Sequence, residues 1–255
     1  MAFILDCSSA ESAFKSISRV FDCTEKQLEI VLLSLDLDDI YESHFEDILV
    51  PCEEYLCNYV VERLGVPKSF DAIVWFHGTR TSKSNNFHNG ISPLNEALQN
   101  VWDTLISEAP TQECRKNLKF MLNNGVDDHL YGLRVNDSIH WGPYGILVKD
   151  VAFNTDKLHQ HDYLAMPELV EDILNAYKRQ FGECLYSHYE RVLLPKLVKF
   201  KCSSRLDRGC LETALGYLYG CVRGQEVNGM SVTCIDKSGV AIAPEQIVEV
   251  QTAWL

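Results

Sequence analysis

His77, Gly78 and Thr79 stand together at the end of a short apolar run, Ala72-Ile73-Val74-Trp75-Phe76. The run is rich in strand formers and bounded by polar residues, so it predicts a buried β-strand. The triplet at its C-terminal edge is a compact polar cluster. An imidazole both donates and accepts hydrogen bonds, a threonine adds a hydroxyl, and a glycine lets a ligand approach the main chain closely. The plain reading of the same three residues is a strand that ends in a turn.

The surrounding residues give the triplet a context. Phe87 and Gly90-Ile91-Ser92-Pro93-Leu94 follow it, and Val240-Ala241-Ile242-Ala243-Pro244-Glu245-Gln246-Ile247-Val248 lies near the other end of the chain. With these segments the chain resembles the ADP-ribosyltransferase superfamily in its H-Y-E branch, which includes poly(ADP-ribose) polymerases and diphtheria-type toxins. The resemblance covers roughly residues 70–255. It implies that the Gly78 main chain holds the nicotinamide carboxamide of NAD, that His77 bonds the adenosine ribose, and that Thr79 lines the same pocket. It implies that Glu245 holds the nicotinamide ribose 2′-hydroxyl. A carboxylate there stabilises the positive charge that develops on the sugar as nicotinamide leaves. Glu249 is a second candidate for that carboxylate. The branch also stacks a tyrosine on the nicotinamide, and both Tyr131 and Tyr144 are candidates, Tyr131 slightly favoured because Tyr144 opens an apolar strand. Each tyrosine also reads as an ordinary core residue with a bonded hydroxyl. The "YGKGIYF" pattern is absent, and the lack of an E-x-E pair fits the arginine-modifying branch poorly.

Other constellations are weaker. His159-Gln160-His161-Asp162 lacks a helical i, i+4 pair and a nearby third ligand, so no metal is expected. His140-Trp141 could line a pocket. There is no G-x-G-x-x-G, no P-loop and no G-x-S-x-G elbow. The ten cysteines form no C-x-x-C pair, a scatter that fits reduced cysteines in a cytoplasmic protein.

The elements that must position these residues read as α+β, with helices around split, partly antiparallel sheets. Helices are expected over 11–21, from Leu28 after a Thr24/Gln27 capping box, and over 39–64 with a break at Pro51. Further helices are expected after Ser92-Pro93 through Leu98, Trp102, Leu105 and Ile106, and at 112–122, 167–181 and 206–222. Strands are expected at 72–76, 144–148 and 192–200, with Pro195 pushing the last to an edge or a bulge. The tail predicts a hairpin of 230–235 with 240–242, then a strand at 247–250. This divides the chain into an acidic helical accessory region, 1–68, and a catalytic domain, 69–255.

The 255 residues include 36 acidic and 23 basic side chains, for a net charge of −13. Residues 1–65 alone hold 14 acidic and 4 basic residues, hence −10. That balance argues against binding nucleic acid through a broad basic surface. It suits a solvated helical face or a docking surface for a basic partner or an antitoxin. No segment has the roughly 18 apolar residues of a membrane span, and the first seven residues lack the basic start of a secretory signal.

The expected activity is therefore NAD-dependent ADP-ribosyl transfer to a macromolecular acceptor, protein or nucleic acid, in the manner of a toxin or defence effector. RNA 2′-phosphotransferases resemble the same family, and Arg80, Arg134, Arg191 and Arg205 are available to such a reaction. A non-catalytic binding module with an acidic docking surface is the reading from a different class.

Overall fold

The computed structural model describes residues 2–44, 50–203 and 207–253. It is α+β. Six strands share one mixed sheet, in the order β5-β3-β2-β4-β6 with β1 added to β2, where the sequence pattern suggested split sheets. The chain divides into two compact units, 1–76 with 146–160 and 201–235, and 77–145 with 161–200 and 236–255.

The first unit is built on local helix signals. Ser9 caps α1 (Ala10–Val20), and Thr24 and Gln27 form a reciprocal capping box for α2 (Glu25–Leu33). The helix expected over 39–64 is two helices, α3 (Leu37–His44) and α4 (Cys52–Leu64); Pro51 caps α4, and Gly65 ends it at φ 90°. These helices pack with α10 (Asp207–Val222), which touches α1, α2 and α4. The Tyr219 hydroxyl of α10 accepts the Leu37 N–H at 2.9 Å, and Arg223 donates to the Leu32 carbonyl at 3.0 Å. Gly216 gives α10 its close approach to the turn at Met230: a Cβ there would lie 2.7 Å from the Met230 carbonyl oxygen.

Strand β1 (Ile4–Leu5) runs parallel to the start of β2 (Ala72–Thr81). Ile73, Val74, Trp75 and Phe76 are all buried, as a strand covered on both faces requires. The strand expected over 144–148 is shorter: β3 (Tyr144–Ile146) pairs antiparallel with β2, and Val148 instead bridges Cys7.

The second unit has a helical core. Trp102 and Leu105 of α5 (Leu94–Ser107), Leu118 and Met121 of α6 (Gln112–Asn124), and Ile173 and Tyr177 of α8 (Glu168–Phe181) bury together. Two short helices, α7 (His129–Asn136) and α9 (Tyr186–Val192), complete it. Strand β4 (Leu194–Cys202) lies between β2 and β6 (Ile247–Thr252), so Pro195 does not mark an edge. It is the second residue of the strand, where its missing N–H removes only a terminal ladder bond, and its carbonyl still accepts from Ala253 at 3.0 Å. The expected tail hairpin does not form. Residues 229–231 make a 3-10 turn ahead of β5 (Cys234–Asp236), and Ile242 pairs with Ile91. The turn at 236–239 is present, but the Gly239 N–H bonds the Gly142 carbonyl at 2.7 Å and draws the chain away from β5. Among the described residues no helix is long and apolar enough to cross a membrane.

Candidate functional site

His77, Gly78 and Thr79 occupy the second half of β2. The pair Phe76–Ile146 sets the register and puts Gly78 opposite Tyr144, the first residue of β3. From Thr79 onward β2 has no partner on β3. The preceding residue, Pro143, has no N–H to offer, and its carbonyl accepts from Lys237 at 3.1 Å.

The His77 imidazole faces an acceptor. Its Nδ1 lies 2.9 Å from the Tyr144 carbonyl oxygen, so Nδ1 carries the proton. Burial holds the imidazole below the usual histidine range, and the Tyr144 bond opposes that only in part. The ring is therefore neutral at pH 7, with the lone pair on Nε2. That nitrogen is an acceptor suited to a hydroxyl group.

Gly78 is not demanded by packing. An added Cβ would sit 3.5 Å from Cβ of Tyr163 and 3.6 Å from Leu164, ordinary contact distances. The space a side chain would enter is bordered by Tyr163 and Leu164. Tyr163 is held at both ends. Its ring meets His161 edge-on, with centroids 4.6 Å apart, and its hydroxyl donates to Glu168 Oε2 at 2.8 Å. Burial and then Glu168 push the phenol well above the usual tyrosine range. The other Glu168 oxygen pairs with Arg134 at 3.2 Å, and Arg134 Nε donates to Asp172 at 2.8 Å. Burial raises the Asp172 carboxyl, against the pull of Arg134. Asp162 shapes the loop that carries Tyr163 by accepting the N–H groups of Leu164 and Ala165, each at 2.9 Å. His161 bonds the Met166 carbonyl at 2.7 Å, so this pair organises the loop.

Arg80, two residues past Gly78, is buried. Its guanidinium donates to the carbonyls of Leu164 at 2.9 Å, Leu193 at 3.0 Å and Glu190. Arg134 is engaged by two carboxylates, Arg191 is exposed on α9, and Arg205 lies outside the described residues.

The two distant segments of the sequence pattern meet. Ile91 and Ile242 exchange both main-chain hydrogen bonds, each at 2.9 Å. Gly90 makes this possible. Its φ is +83°, and a Cβ would fall 2.0 Å from the Ile242 carbonyl oxygen. Glu245 follows on a 3-10 turn, Pro244–Gln246, closed by the Gln246 side chain accepting the Ala243 N–H at 2.9 Å. The Glu245 side chain is exposed. Glu249 is exposed on β6, opposite Lys199, and accepts from Gln251 at 2.8 Å.

The tyrosine candidates part company. Tyr144 gives its carbonyl to His77 and donates its own hydroxyl to the Ile139 carbonyl. Burial raises its phenol. Tyr131 lies on α7, where its hydroxyl accepts from Trp102 Nε1 at 3.2 Å and its ring packs edge-on against that indole. The arrangement thus gathers His77, Gly78, Tyr144 and Tyr163, while Tyr131 serves the helical core. Trp141 donates to the Val135 carbonyl at 3.3 Å and borders an open hollow of about 630 Å³ with Leu133, Asn136 and Ser138. Sequence reasoning missed Tyr163 and Glu168, and named Arg134 only for the phosphotransferase reading. The one readable signal was Glu168 in the first turn of a helix that starts after Pro167.

No family model, no curated protein and no solved structure matches the chain.

Proposed function

We propose that the chain is an NAD-consuming ADP-ribosyltransferase. The observation that carries this reading is the neutral imidazole of His77, its Nδ1–H taken by Tyr144 and its Nε2 left as an acceptor, beside Gly78 and the Tyr163 side chain. An imidazole acceptor of this kind suits a ribose hydroxyl of NAD. Tyr163 and Tyr144 supply aromatic surface at the same place for the planar nicotinamide.

In the reaction the bond between ribose C1′ and the nicotinamide nitrogen breaks, and its electron pair leaves with nicotinamide. The acceptor nucleophile bonds C1′ and loses its proton. The chain's part is to hold both ends of NAD and to offer a carboxylate to the cationic sugar. Glu245 is the assigned carboxylate. Its exposure on a short turn leaves it accessible to a substrate.

The phosphotransferase reading draws less support. It needs guanidinium groups facing a phosphate, whereas Arg80 is bound to carbonyls and Arg134 to carboxylates.

Nicotinamide release from NAD, with cell extract as a mixed acceptor, tests the proposal. The wild-type chain should release nicotinamide. His77→Ala should lower kcat/KM by about 10- to 100-fold, the worth of one or two hydrogen bonds to the ligand. Glu245→Ala should lower kcat by about 10²–10³-fold while NAD still binds. A folded wild-type chain that neither binds nor cleaves NAD refutes the transferase and leaves the binding module in front.

A further inference from the structure

We infer that Glu168 and Arg134 are positioning residues that fix the Tyr163 ring, on a side chain rooted beside Gly78, for the ligand's planar group. The inference rests on the transferase reading and deepens it. Both Glu168 oxygens have separate partners, Tyr163 on Oε2 at 2.8 Å and Arg134 on Oε1 at 3.2 Å, so the carboxylate cannot rotate without losing one of them. Arg134 is anchored in turn on Asp172, which is buried. The helices favour each member: Glu168 lies in the first turn of α8 and Arg134 in the last turn of α7, where the helix dipoles stabilise an anion and a cation respectively.

The network ends on a side chain rooted beside the glycine. Tyr163 has its Cβ 3.5 Å from the position a Gly78 Cβ would take, and the residue is 38% exposed. An unrestrained, part-exposed tyrosine samples several rotamers. Here the edge contact to His161 and the charge-assisted bond to Glu168 select one. A ring fixed before the ligand arrives spares the ordering that binding otherwise requires. In this picture Glu168 does not touch NAD and acts only through the phenol.

A double-mutant cycle on NAD affinity tests the coupling. Tyr163→Phe and Glu168→Ala should each raise the Kd for NAD about tenfold. Combining them should again give about tenfold, because each removes the same bond. Glu168→Gln should stay within threefold, since its amide oxygen still accepts from the phenol. Thermal melts of all four variants establish that they fold. Effects that multiply to about a hundredfold, or a silent Tyr163→Phe beside a damaging Glu168→Ala, overturn the inference while leaving the transferase standing. A wild-type chain that shows no NAD binding overturns the transferase reading itself, and this inference with it.

Discussion

Replacing Arg80 with methionine should destabilise the protein by about 3 kcal/mol. The guanidinium donates to the carbonyls of Leu164, Leu193 and Glu190 and sits in a buried setting. Methionine fills a similar length but offers no donor. Each orphaned buried carbonyl costs roughly 1–3 kcal/mol, so the loss is roughly 3–9 kcal/mol before any relief. The relief comes from removing a cation that burial itself disfavours, as the lowered pKa of Arg80 attests, and is worth several kcal/mol. The net of about 3 kcal/mol corresponds to a fall in melting temperature of about 6–12 °C for a chain of this size. Thermal unfolding followed by circular dichroism measures it. Arg80→Lys should fall between the two, since an ammonium brings three donors without the reach of the planar fork. A methionine variant as stable as wild type, or more stable, would refute the reasoning. It would mean that desolvation of the cation outweighs its three bonds.

His77 gives a pH dependence of definite sign. Burial lowers its folded-state pKa, so between that value and the unfolded value of about 6.5 the unfolded chain binds a proton that the folded chain does not. Stability from this residue is complete above about pH 6.5 and is lost as the pH falls toward the folded value. Comparing wild type with His77→Gln by denaturant unfolding from pH 8 to 5 should show the extra slope, at most ~1.4 kcal/mol per pH unit, only in the wild type; equal slopes would count against the neutral imidazole. Gly216→Ala should lower stability by about 1–3 kcal/mol in urea unfolding, because its methyl would meet the Met230 main chain at 2.7 Å and force α10 from its turn. An unchanged midpoint would mean that this turn yields freely.

What the sequence made legible was local. The Thr24/Gln27 box, Pro167 ahead of α8 and the stops at Gly65 and Gly125 act within a few residues of themselves, and the helices they bound lie close to where the pattern put them. The same holds for β2, whose unbroken apolar run needs no partner to be recognised. Long-range pairing was not legible. Nothing in Val240-Ala241-Ile242 says that it pairs with Ile91 and not with β5, because both choices satisfy a short apolar segment after a turn. Nothing in α10 names the N-terminal helices as its packing partners. The site divides in the same way. His77, Gly78 and Tyr144 could be named because strand periodicity and turn residues placed them at the ends of apolar runs. Tyr163 could not, since its relation to Gly78 depends on a loop shaped by Asp162 and anchored through a carboxylate five residues on.

The bridge between Ile91 and Ile242 has a consequence for assembly. It closes a loop of about 150 residues, an entropic cost of roughly 4 kcal/mol in an unstructured chain. Its two hydrogen bonds return only about 0.5–1.5 kcal/mol each. The pair therefore cannot nucleate anything. Its closure depends on other contacts that shorten the effective loop. The Ile91 and Ile242 amides are thus natural late reporters: their protection from solvent exchange marks the moment at which the chain's two distant segments have become one surface.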